Sequence, residues 1–163
     1  MDMPGNWQIT IKQRQPMDAR PLNIQLVLDA NNVHAQAAWW AKALGWVVEY
    51  PDPGFLDMLA EKGLLTDDSL VEFEGSRVFR TASAIHQEID GKPTGHRIYI
   101  RGVRAAKTER NRVHWDIEAR PEPIDDVVAR LEAIGAKKIG EHFQGPNRSV
   151  QMLDPENNEF CVH

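Results

Sequence analysis

The sequence predicts an α+β fold in which two βαβββ modules form one curved mixed sheet. Two observations carry this. Two segments read as the same strand–helix–strand unit: IQLVLDANNVHAQAAWWAKALGWVV at 24–48 and RVHWDIEARPEPIDDVVARLEAIGAKKI at 112–139. Their helices end at Leu44-Gly45 and Ile134-Gly135, and Gln25 and His114 take matching places in their first strands. A repeat of that kind implies two equivalent supersecondary units. The second observation is NRVHWDIE, 111–118, which alternates. Val113, Trp115 and Ile117 point one way, and His114, Asp116 and Glu118 the other, as on a half-buried strand.

In chain order, Trp7 to Lys12 alternates and is expected to form an added edge strand or arm within residues 1–21. Asn23 to Asp29 reads as a strand with Leu26 and Leu28 on one face and Gln25, Val27 and Asp29 on the other. Asn31 or Asn32 can accept from the free amides of the helix that follows. That helix buries Val33, Ala37, Trp40 and Leu44 at helical spacing and stops at Gly45, suited to a left-handed residue. Trp46 to Tyr50 is the next strand. FLDMLAEKGLL is open between a short helix and a strand with a turn. Glu72 to Arg80 reads as a hairpin turning at Gly75-Ser76, and IDGKPTG as a loop. Ile98 to Val103 is a strand with Tyr99 and Arg101 on the non-core side.

Residues 101–112 carry five basic side chains and read as a crossover between modules at about 22–104 and 111–163. After the alternating strand, Ile124 to Ile134 is an amphipathic helix with Asp125 and Asp126 in its first turn, where negative charge suits the macrodipole. Lys137 to His142, Arg148 to Leu153 and Glu159 to His163 complete the second module. Gly145-Pro146-Asn147 and DPENN supply the turns.

Composition excludes several classes. A net charge of −5 argues against a nucleic-acid partner, and the basic crossover has no interleaved aromatics. Cys161 is the sole cysteine, so neither an intrachain disulfide nor a multi-cysteine metal site is available. No segment approaches a membrane span, and the N-terminal stretch has no apolar signal core, so a cytoplasmic protein without membrane association is expected.

Three stretches together resemble the vicinal oxygen chelate superfamily, and within it the glyoxalase-like, bleomycin-resistance and dioxygenase branch. They are ALGW at 43–46, KTERNRVHWDI at 107–117 and DPENNEFCVH at 154–163. The resemblance covers residues 22–163. It implies two modules around a cup and, in metal-using members, four inward side chains on one divalent ion. Those places fall on Gln25, on Tyr99 or Arg101, on His114 and on Cys161. Alternation alone sends the same residues to the non-helix face. His114 is a sound transition-metal ligand, whereas the family's usual last ligand is a glutamate, and Cys161 stands there. Neither Tyr99 nor Arg101 is an obvious ligand. Glu159 and His163 share the face of Cys161 and are candidate substitutes.

The expected site therefore has His114 as ligand or base, Gln25 and Cys161 as its metal partners, and Arg101, Tyr99 and Asp116 contacting substrate. A divalent ion (zinc, nickel, manganese or iron) and no ion at all both stay open. Bland readings stand beside these: His114 as a hydrogen-bonded structural residue, Cys161 as a small buried hydrophobe, the tryptophans as core. The functional expectation is a lyase or isomerase acting next to a carbonyl on a small molecule, in a homodimer. The alternatives are a drug- or metabolite-binding protein without catalysis, and a scaffold whose cup is filled by side chains. In DPENN, Asn157 stands where the family has glycine, and asparagine tolerates positive φ best after glycine.

Overall fold

The computed structural model describes residues 24–163, so the expected arm at 1–21 lies outside the described residues. The first module comprises β1 (Leu26–Ala30), α1 (Val33–Leu44), β2 (Val47–Val48), α2 (Pro53–Glu61), β3 (Leu70–Phe73), β4 (Ser76–Phe79), β5 (Ala82–Ile89) and β6 (Lys92–Gly102). The second comprises β7 (Trp115–Ile117), α3 (Ile124–Ala133), β8 (Lys137–Gln144), β9 (Asn147–Leu153) and β10 (Glu159–Val162). The sheets run β1-β6-β5-β2 and β7-β10-β9-β8. In each, the opening strand pairs parallel with the closing one and the remaining pairs are antiparallel. The strand–helix–three-strand repeat is thus two sheets of one topology. Between β2 and β5 the first module carries an insertion, α2 and the β3–β4 hairpin. The matching strands β8 and β9 join by a short turn instead.

Local chemistry explains the helices. The Asn32 side chain accepts from Ala35 N, and Gly45 ends α1 at φ +68 with its N–H on Ala41 O. Asp52 caps α2 by accepting from Phe55 N, and Pro53 fills the first turn, so FLDMLAE of the FLDMLAEKGLL stretch is helical and KGLL follows it as a turn. In α3, Val127, Val128 and Leu131 are buried and Asp125 and Asp126 occupy the first turn.

The two modules share one apolar core. Trp40 is its centre, 4.4 Å from Trp115, 4.8 Å from Trp39 and 5.2 Å from Phe160 by ring centroid. Thus α1 packs on β5 and β6 of its own sheet and also on the helix side of the second. The turn after β9 locks this arrangement. Asp154 is buried and accepts from Gln36 Nε2, from Trp40 Nε1 at 3.1 Å and from Asn158 Nδ2 at 2.9 Å. Glu156 accepts the Asn31 and Asn32 amides at 2.7 and 2.8 Å, so a carboxylate of the second module caps a helix of the first. Asn157 sits at φ +66. Among the described residues no helix is long and apolar enough to cross a membrane.

The structure departs from the sequence reading in several places, among them β5, which that reading does not contain. The strand expected at 111–118 is ordered only as Trp115–Ile117, because Asn111 is drawn to Asn158 and Glu159; Val113 lies outside it, 75% exposed rather than in the core. WVVEY contributes two strand residues. The IDGKPTG loop is instead a tight hairpin between β5 and β6, turning at Asp90-Gly91 with φ of +52 and +71. The first hairpin turns at Glu74-Gly75, one residue earlier than expected.

Candidate metal centre

The second sheet builds the site by register. Phe160 lies beside Trp115 and Val162 beside Ile117, and these face the helices. The intervening rung places Cys161 beside Asp116, so both side chains take the opposite face, Asp116 exposed and Cys161 buried. His114 immediately precedes β7, and its Nε2 is 3.4 Å from Asp116 Oδ1. One ligand atom each from His114, Asp116 and Cys161 all lie within 4.8 Å of one another.

This donor set fits a borderline transition ion. Imidazole nitrogen, carboxylate oxygen and thiolate sulfur are the ligands zinc takes. Two ligands about 2.1 Å from a tetrahedral ion stand about 3.4 Å apart. Burial and the adjacent Asp116 carboxylate push the Cys161 thiol up, with Arg110 pulling the other way. Its proton must leave before a metal binds, so binding there is coupled to pH.

A second layer fixes where His114 falls. Glu159 at the start of β10 receives Lys107 Nζ at 3.0 Å and the Asn111 amide at 3.1 Å, and Asn111 Nδ2 donates to Asn158 Oδ1 at 3.2 Å. Burial works against the Glu159 charge, yet Lys107 and the Asn111 amide outweigh it and hold its carboxyl below the ordinary value. Lys107 and Asn111 of the crossover are therefore the clamp that delivers the chain to His114. Glu159 is committed to that clamp, and His163 is exposed at the end of β10.

The remaining candidates are placed elsewhere. Gln25 is exposed just ahead of β1. Arg101 lies opposite Asp29 across the β1–β6 pair, its Nε on Oδ1 at 2.9 Å and its Nη2 on Oδ2 at 3.0 Å, so its fork already holds a carboxylate. Glu118 pairs with Arg120 at 2.7 Å. Tyr99 lies beneath the Arg97 guanidinium, 5.9 Å from ring centroid to Cζ, on the first sheet. Asp116, read from the sequence as a substrate contact, is the third member of the donor cluster. The alternation of 111–118 already put it on the face of His114. Its nearness to Cys161 needed the β7–β10 register, which the sequence does not print.

A cleft of about 320 Å³ opens between the edge strands β1 and β7, with Val27, Asp29, Asn111, His114 and Glu159 in its wall. The His114 side chain thus borders both a gap between the modules and the open face carrying Asp116 and Cys161.

Comparison with known proteins places the fold. The fosfomycin resistance protein FosX from Listeria monocytogenes superposes with a TM-score of 0.58 at 15% identity, covering 89% of this chain and 91% of that one. A mutant of it, solved with Mn(II) and 1S,2S-dihydroxypropylphosphonic acid, gives 0.50 at 17%, covering 90% of each. A glyoxalase/bleomycin resistance protein/dioxygenase family enzyme from Burkholderia phytofirmans gives 0.53 at 14%, covering 85% and 94%. At such identities the likeness is one of fold. No curated protein matches the sequence. The model of the glyoxalase-like domain matches residues 25–163, and the chain belongs to that family.

Proposed function

We propose that this chain binds a small, oxygen-bearing molecule at the open face of its second sheet and assists proton transfer next to a carbonyl, as a lyase or isomerase. One observation carries the reading: imidazole, carboxylate and thiol converge there within 4.8 Å. His114, Asp116 and Cys161 would hold one divalent ion, which when bound would polarise a carbonyl oxygen of the substrate. The mixed nitrogen, oxygen and sulfur set suits zinc, nickel or iron better than manganese, the ion in the Listeria relative. The Asp116 carboxylate is 61% exposed, open enough to reach a substrate and accept its proton. Lys107, Asn111 and Glu159 hold His114 in place. A homodimer belongs to the same proposal, because a second copy would cover the exposed Val27 and Val113 beside the cleft.

A second reading is a binding protein without catalysis. Arg101, expected to contact substrate, is held by Asp29, and a thiol stands at the family's glutamate place. Thermal-shift titration with zinc, nickel and manganese separates the two. A rise in Tm for the native chain and none for His114→Ala supports the metal reading. No shift with any of the ions leaves the metal-free binding protein.

A further inference from the structure

The first module holds a second cavity, of about 200 Å³, whose wall shares no residue with the His114 cluster or the β1–β7 cleft. Its floor is β5 and β6, where Ala82, Ser83 and Ala84 are small and leave depth beside Tyr99. Phe55 of α2 and Phe73, Val78 and Phe79 of the β3–β4 hairpin close over it. All of these come from the insertion between β2 and β5, for which the second module has only a turn between β8 and β9. Leu56 and Val78 are buried, so the insertion is packed onto the module.

The charges in this wall are already paired. Arg97 grips Glu49 through Nε at 2.8 and 3.1 Å and through Nη2 at 2.7 Å, and His86 Nδ1 adds a contact to Glu49 at 3.3 Å. His34 donates Nε2–H to Phe79 O at 3.1 Å and stacks on Phe73, centroids 4.9 Å apart at 24°. Burial pulls the His34 pKa down, which keeps the ring neutral. An ionic ligand would lose its water here and find no free counter-charge. An uncharged ring would meet aromatic edges and faces on several sides. An apolar cavity of about 150 Å³ accepts benzene, so this one has room for one or two fused rings.

We propose that the insertion builds a binding site on the first module for an uncharged planar aromatic molecule, separate from the metal centre. Ser83 and Tyr99 bring hydroxyls to the wall and would orient a polar substituent on the ring.

The test is calorimetric titration of the full chain with indole, with indole-3-acetate and tryptamine as its anionic and cationic counterparts. Indole is expected to bind, and both charged analogues at least tenfold more weakly. Ala82→Leu narrows the floor, and Phe55→Ala, at an exposed position of α2, removes part of the roof; each is expected to weaken indole at least fivefold. Should Ala82→Leu fail to fold, Phe55→Ala still decides. Chelator is expected to leave indole binding unchanged, which keeps this result independent of the metal reading. No binding of indole, equal affinity for the charged analogues, or native affinity in a folded variant would overturn the proposal.

Discussion

Asp154 Oδ2 accepts the Trp40 indole N–H at 3.1 Å, joining a turn of the second module to the central helix of the first. The same carboxyl takes Gln36, the Asn158 side chain and the backbone amides of Glu156 and Asn158. Each of these donors is neutral, so Asp154 is satisfied without a cation. Asp154→Ala leaves the Gln36 amide and the Trp40 N–H unpaired in the core. It is expected to destabilise the chain by about 3 kcal/mol in urea unfolding, with Asp154→Asn recovering part of the loss.

That carboxyl also gives a pH signature. Burial lifts its pKa above the ordinary value, against the pull of its donors. The folded state then holds the proton more tightly than the unfolded state does. Its contribution is greatest below the ordinary carboxylate pKa and declines as pH rises through the folded value. Asp154→Asn is expected to remove this decline from a stability–pH curve.

Arg148 gives a slope of the opposite sign. It contacts Asp125 at 2.8 Å and Glu141 at 3.1 Å, and Lys138 also meets Glu141. Arg148 and Lys138 hold the Glu141 carboxyl down at about 2, from an ordinary 4.5. The stability this carboxylate adds is present above pH 4.5 and is lost as pH falls towards about 2. Arg148→Gln is expected to flatten that acid limb, read by thermal unfolding between those pH values.

Glu159 touches no proposed ligand, yet it anchors the chain leading to His114 through Lys107 and Asn111. Groups that orient a ligand typically change metal affinity about 10- to 100-fold when removed. Glu159→Ala is expected to weaken zinc binding by about tenfold, measured by competition with a chromophoric chelator, while metal-free stability changes far less.

Local chemistry made much of the fold legible. Gly45 and Asn157 occupy the left-handed backbone that their turns require, and the two Leu/Ile-Gly helix endings exposed the repeat. The β5 strand is hard to read because TASAIHQEI alternates poorly, although Asp90-Gly91 is a strong hairpin signal after it. The site was only half readable. Alternation gave the face of His114, Asp116 and Cys161. It could not show that Asp29 would take Arg101, or that Lys107 and Asn111 would take Glu159. Those pairings depend on which strands become neighbours.

Metal content of the purified protein tests the central claim most directly. Protein prepared without chelator is expected to carry close to one equivalent of a divalent transition ion. His114→Ala, Asp116→Ala and Cys161→Ala should each lose most of it, while Gln25→Ala keeps it. No metal in the native chain, or loss in Gln25→Ala with retention in Asp116→Ala, would contradict the account.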